Sequence, residues 1–256
     1  MGIKGKRKQQ RRQQQLQQQI ATEETQTEDS NLIPASSTAE SSPSTSPSTS
    51  TSSIPPPFIT PPFEMAASQA RSLLICAIGN PGKLLTTRHS AAHLLLPHLT
   101  SSQLSPSRSY GGPISDGPSG ANYTTKFFQS QVFMNVSGPA VLKAWKQFSP
   151  ANPNPTLVIL HDELEKPVGK VKYKKDGSAG GHNGLSSIKA SLGNGKIPIH
   201  KIGIGIGRPE SRDKNVVADY VLQKVPGRDK DILIRDAVPA ILEIIDDIGS
   251  EPVEAD

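Results

Sequence analysis

Cysteine is nearly absent: Cys76 is the only one among 256 residues. A disulfide-stapled secreted scaffold needs pairs, so that class is excluded, and so is any C-x-x-C zinc or redox motif. Aromatic residues are also scarce, with one Trp, four Tyr and six Phe. No apolar run reaches the roughly 18 residues that a membrane-crossing helix requires. The first 70 residues lack hydrophobic periodicity altogether. Positions 41–53 read SSPSTSPSTSTSS, eleven Ser or Thr and two Pro. Such a stretch buries too little apolar surface to offset its ordering entropy. We therefore expect a disordered tail over 1–70 and one folded domain over 71–256, which is long enough for a single core.

The tail opens with six basic residues, eight glutamines and no acid in positions 1–19. Gly2 would suit myristoylation, but Lys6 stands where Ser or Thr is needed. The apolar segment of a secretory signal is missing. The acid-poor, Arg-containing composition resembles a transit peptide, yet only Ile3, Leu16 and Ile20 could build its apolar face. A disordered basic tail is the first reading and an organelle address the second; a poor mitochondrial address, a basic nuclear-type signal and neither stay open for the tail, and a cytoplasmic or mitochondrial location is the expectation. Charge divides unevenly along the rest. Residues 71–228 carry twenty Lys/Arg against eight Asp/Glu, and residues 229–256 carry two against nine. A body at +12 suits an anionic partner, nucleic acid first; the plainer alternative is a solvated surface beside an acidic C-terminal helix.

From Arg71 the pattern becomes that of a folded α/β domain. SLLICAI (72–78), YTTKFF (123–128), TLVIL (156–160), GKVKYKK (169–175) and IHKIGIGIG (199–207) read as strands. Helices are expected over His89–Leu99, from a Ser137 N-cap through Phe148, over LSSIKASL (185–192), and along Ile234–Ile248 with a kink at Pro239. Residues 105–122 read as a loop with a short strand near Tyr110. Alternating strands and helices predict a single α/β domain on a mixed, mostly parallel sheet.

Four polar clusters fall at element boundaries. They are Gly79-Asn80-Pro81-Gly82 with Arg88-His89, Phe133-Met134-Asn135, His161-Asp162-Glu163, and Gly180-Gly181-His182-Asn183-Gly184. Each alone reads as a turn or a helix cap. Open α/β sheets collect ligands at the carboxyl ends of their strands, and there all four could share one crevice. His89 with Asp162 has the chemistry of a base and its orienting carboxylate. No nucleophile elbow is present, and Cys76 sits inside an apolar strand. A dyad without a nucleophile points to activation of water, with asparagine amides orienting the substrate. No H-e-x-x-H pattern occurs, so no metal is assigned, and neither a Walker nor a G-x-G-x-x-G spacing is present, so no nucleotide cofactor is expected. The Gly-rich segment and the lysines of 166–175 suit contact with a nucleic-acid phosphate instead.

Together these segments resemble the bacterial-type peptidyl-tRNA hydrolases. The resemblance runs through GNPG (79–82), TRH (87–89), FMNVSGPAV (133–141), HDELEKPVGKVKYK (161–174), GGHNGLSSI (180–188) and KIGIGIGRP (201–209). It implies a monomeric α/β enzyme that hydrolyses the ester between a peptide and the 3′ end of tRNA, rescuing tRNA from stalled translation, with peptidyl-tRNA as partner and no cofactor. By the same resemblance His89 is the base and Asp162 holds it. Asn80, Phe133, Asn135 and Asn183 contact substrate, and His182 lies beside them. The chain departs from the family at Leu84, where a Tyr is usual, and at Ser90, where an Asn is usual. Some plant relatives of this fold bind RNA in intron splicing without catalysis. Loss of the His or the Asp would favour that role, and both are present here.

Overall fold

The computed structural model describes residues 70–193 and 195–253. The tail expected over 1–70 lies outside the described residues except for Ala70. Seven strands form one sheet: β1 (Arg71–Ala77), β2 (Ser105–Ser107), β3 (Gly112–Asp116), β4 (Tyr123–Gln129), β5 (Pro155–Glu163), β6 (Val171–Lys175) and β7 (Ile199–Gly205), in the order β2-β3-β4-β1-β5-β7-β6. The central pairs β4–β1, β1–β5 and β5–β7 are parallel, and the edge pairs are antiparallel. Five strands thus share one direction, which is the mixed, mostly parallel sheet expected. The chain leaves β1 towards β4 and then crosses back to β5 on the other side. Such a reversal opens a crevice at the carboxyl ends of the strands.

The period-two alternation of β1 divides the core in two. Leu73, Ile75 and Ala77 face one hydrophobic cluster, while Leu74, Cys76 and Ile78 face the other. Both faces are therefore buried, as parallel sheets require. One face is covered by α1 (Ala91–Leu99) and by the C-terminal helices through Leu233, Ala237, Ile241, Ile245 and Ile248. The other is covered by α2 (Ser137–Phe148) and α3 (Asn183–Ser191). Each buried Leu or Ile contributes roughly 1.5–3 kcal/mol relative to exposure.

Several elements differ from expectation for identifiable reasons. The helix expected from His89 begins at Ala91, behind a 3-10 turn over Arg88–Ser90. Ser90 leaves helical geometry because its hydroxyl accepts a hydrogen bond from the Asn80 amide at 2.9 Å. Ser137 does not cap α2 but is its first residue, and its hydroxyl donates to the Met134 carbonyl. Residues 105–122 hold the β2–β3 hairpin, with Tyr110 in the connection rather than in a strand. A helix that the pattern did not suggest, α4 (Lys214–Val221), is capped by Asp213, whose carboxylate accepts from the amides of Asn215 and Val216. At the C-terminus, α5 (Gly227–Ile232) passes through a π-helical stretch, Leu233–Ala237, into α6 (Val238–Ser250). Pro239 cannot donate the bond to Arg235. The wider turn absorbs that loss and keeps the buried stripe continuous.

Helices α2 and α3 approach closely at Gly138, whose amide donates to Ser187 Oγ at 3.0 Å. A Cβ there would sit 2.2 Å from the Ser187 carbonyl oxygen. Gly138→Ala is therefore expected to separate the two helices and cost about 1–3 kcal/mol. A lowered urea midpoint checks this; an unchanged midpoint would contradict it.

Candidate active site

The loops after β1, β4 and β5 meet the N-terminus of α3 at the carboxyl edge of the sheet. Asp162, the penultimate residue of β5, is 3 % exposed. His89 Nδ1–H donates to Asp162 Oδ1 at 2.8 Å, and His182 Nε2–H donates to the same oxygen at 2.9 Å. With its Nδ1 proton committed, neutral His89 carries its lone pair on Nε2, the arrangement a general base needs. His182 Nδ1 accepts from the Leu185 amide at 3.3 Å. His182 is thus both the N-cap of α3 and a second donor to Asp162. The His89 and His182 rings lie 5.3 Å apart, and His161 stands edge-on to His182 at 5.1 Å. Burial alone would raise the Asp162 carboxyl. The positive charge that His89 and His182 can carry, and the hydrogen bonds they donate, outweigh burial and hold the carboxyl well below the usual carboxylate range.

Among the described residues, His89, Asp162 and His182 are the group whose ligand atoms lie close enough together to hold a metal ion. Their separations of 2.8 and 2.9 Å are those of N–H···O bonds. Both nitrogens facing the carboxylate are spoken for as donors, so the donor set as arranged suits acid–base work.

The asparagines play different parts. Asn80 is 2 % exposed, and its side-chain oxygen accepts from the Met134 amide at 2.9 Å. It ties the β1 loop to the β4 loop, which leaves its amide nitrogen as the end available to a ligand. Asn135 Oδ1 is buried and has no partner among the described residues. An acceptor in that condition costs about 1–3 kcal/mol unless something donates to it. Asn183 is exposed at the first position of α3. Phe133 precedes the turn Met134–Val136 and is half-buried. Met134 reaches α3: a Cβ on Gly184 would meet its sulfur at 2.5 Å and the His182 ring at 3.1 Å. The four residues expected to contact substrate, Asn80, Phe133, Asn135 and Asn183, therefore lie on the loops and helix end beside the dyad.

The glycines of GNPG divide their work. Gly82 takes a φ of 60°, the left-handed turn. Gly79 instead makes room for His93, whose Nδ1 would lie 2.7 Å from an added Cβ. His93 is 4 % exposed, and its Nε2 donates to the Ala77 carbonyl. Cys76 is fully buried, and burial pushes its thiol up, which removes it as a nucleophile. Lys172, expected to face phosphate, pairs with Glu163 at 3.0 Å. Lys174 and Lys175 remain exposed on edge strand β6, while Lys201 donates to the Ser178 carbonyl. What the sequence reading left undecided is His182. Its signal is a His immediately before an Asn-Gly helix start.

Burial also lowers His93 and His161 from 6.5 to about 4, helped at His161 by neighbouring His182. The unfolded chain therefore takes up protons at these positions before the folded one does. Stability is expected to fall as pH drops from about 6.5 towards 4, by roughly 3 kcal/mol for each histidine at the low end. Urea midpoints measured at about pH 7 and about pH 5 should differ, with the lower at acid pH. Equal midpoints would contradict the burial of the two rings.

A His–Asp pair at the carboxyl edge of an open α/β sheet, with asparagines on the surrounding loops, carries the groups that acid–base hydrolysis uses. Comparison with known proteins narrows this class. The peptidyl-tRNA hydrolase family model matches residues 74–255. Peptidyl-tRNA hydrolase of Haemophilus influenzae is 40 % identical over 179 residues, covering 67 % of this chain and 89 % of that protein. The Carboxydothermus hydrogenoformans protein of the same name is 36 % identical over 163 residues, covering 62 % and 83 %. The crystal structure of peptidyl-tRNA hydrolase from Acinetobacter baumannii superimposes with a TM-score of 0.54 at 26 % identity, covering 72 % of this chain and 96 % of that one. The chain belongs to the peptidyl-tRNA hydrolase family.

Proposed function

We propose that the protein hydrolyses the ester joining a peptide to the 3′ end of tRNA, with His89 as the base. The observation that carries the role of His89 is its Nδ1–H bond to the ionised, buried Asp162. Nε2 of His89 takes a proton from water as the water oxygen attacks the ester carbonyl carbon. The carbonyl electrons move to oxygen and then return, breaking the bond to the tRNA 3′ oxygen. The imidazolium gives its proton to that oxygen, so the products are free tRNA and a carboxylic acid, which releases the second water proton to solvent and becomes a carboxylate. Asp162 stays charged and favours the imidazolium while it lasts. Asn135 Oδ1, Asn183 and the amide end of Asn80 are suited to fix the ester and the peptide backbone, since each amide supplies groups a peptide can pair. A non-catalytic RNA-binding role would not need a proton-committed His aimed by a buried carboxylate.

The charge of residues 71–228 implies binding through phosphates. KM is expected to rise steeply with salt while kcat changes little. Neutralising about four phosphates corresponds to a slope of roughly 3 to 4 decades in KM per decade of salt. Replacing Lys174 and Lys175 by Gln should weaken binding without stopping turnover. Release of tRNA from N-blocked aminoacyl-tRNA, followed on gels across a salt series, tests both statements. A flat salt response would leave the lysines as a solvated edge, and no release at any salt would refute the activity.

A further inference from the structure

Arg88 immediately precedes His89, and none of the chemistry above uses it. Its side chain is 10 % exposed. Nη1 donates to the Ile206 carbonyl at 3.1 Å, and Nη2 pairs with Asp229 at 2.8 Å. The guanidinium carbon lies 4.6 Å from the centre of the Tyr220 ring, and the Tyr220 hydroxyl donates to the same Ile206 carbonyl at 2.8 Å. The backbone is bound as well. Arg88 N–H donates to the Gln223 carbonyl at 3.0 Å, Val225 N–H donates to the Thr86 carbonyl at 2.9 Å, and Thr87 bridges Lys224 in antiparallel fashion.

Residues 86–88 are thus fastened to the residue that follows β7, to α4 and to α5; α4 and α5 supply no residue of the dyad, and β7 flanks it through its pairing with β5. Two residues on from Arg88, Ser90 is fastened to Asn80 on the opposite side. His89 lies between these two fixed points. A buried ion pair adds little net stability compared with apolar side chains of similar size. Stability alone is a weak reason for an arginine here, whereas its planar fork can hold three partners at fixed angles, which a lysine cannot.

We propose that Arg88, with Asp229 and Tyr220, is a positioning unit that sets the His89 imidazole against Asp162. The inference rests on His89 being the base. It makes the segment from Ile206 to Asp229 part of the machinery. Misplacing a catalytic group by about 1 Å can cost about 10²-fold in rate.

The test compares Arg88→Lys and Asp229→Asn in the wild-type chain and in a His89→Ala background, with kcat, KM and the urea midpoint measured for each. In the wild-type chain kcat should fall about 10- to 100-fold with KM within about two-fold. In the His89→Ala background the same changes should cost nothing further, because their effect passes through the missing imidazole. Should Arg88→Lys fail to fold, Tyr220→Phe, which removes only the hydroxyl bond to Ile206, is scored in the same way. An unchanged kcat, or an equal fractional loss in both backgrounds, overturns the positioning role. Full activity of His89→Ala itself would remove the base and the clamp together. A normal Asp229→Asn beside an inactive His89→Ala would remove the clamp alone.

Discussion

His89→Ala is expected to lower kcat by about 10² to 10⁴, the usual contribution of a positioned general base. Binding of tRNA should stay close to normal. The lost interaction forms mainly in the transition state, and His89 is not among the cationic residues that would meet phosphate. Removing the ring, whose side chain is 12 % exposed, leaves the buried Asp162 carboxylate with His182 as its one imidazole donor. The urea midpoint of the variant should therefore fall, by the equivalent of about 1–3 kcal/mol, without loss of the fold. Single-turnover cleavage with binding measured in parallel checks all three outcomes. Undiminished cleavage would remove His89 from the mechanism.

Asp162→Asn is expected to produce a smaller loss of kcat, about 10- to 10³-fold, together with a rise in KM. The two effects have separate origins. Loss of the charge withdraws stabilisation from the His89 imidazolium, which lowers kcat. The same oxygen also accepts from His182, the N-cap of α3, so the substitution loosens the helix end that carries Asn183. An N-cap contributes about 0.5–2 kcal/mol, enough to let Asn183 shift. His89→Ala leaves that cap intact and should not raise KM. Steady-state kinetics of the two variants side by side separate these effects. A pure kcat loss in Asp162→Asn would mean that His182 does not couple to substrate.

Much of this was legible from single residues. The continuous apolar run SLLICAI marked a strand over 72–78, because a strand in a parallel sheet is buried on both faces. The four polar clusters could be placed at one edge because parallel strands present their carboxyl ends together. Pairing of His89 with Asp162 followed from residue type and is seen at 2.8 Å. What could not be read depends on contacts distant in sequence. That His182 shares Asp162 depends on the angle at which α3 meets β5. That Asn80 gives its oxygen to Met134, 54 residues away, depends on the β1–β4 register. Lys172 looks like any other lysine of β6 until the pairing of β6 with β7 brings it over Glu163. Helix α4 buries only Val221, so it carries almost no apolar periodicity to detect. The π-helical stretch Leu233–Ala237, which ends two residues before Pro239, leaves no mark in the apolar spacing of the C-terminal helix.

The most direct test is cleavage of N-blocked aminoacyl-tRNA by the purified full-length wild-type chain under single-turnover conditions, with tRNA binding recorded in the same samples. Release of free tRNA and the N-blocked amino acid, lost in His89→Ala while binding persists, is the expected result. Tight tRNA binding by the wild type with the ester left intact would contradict it and identify an RNA-binding member of the family instead.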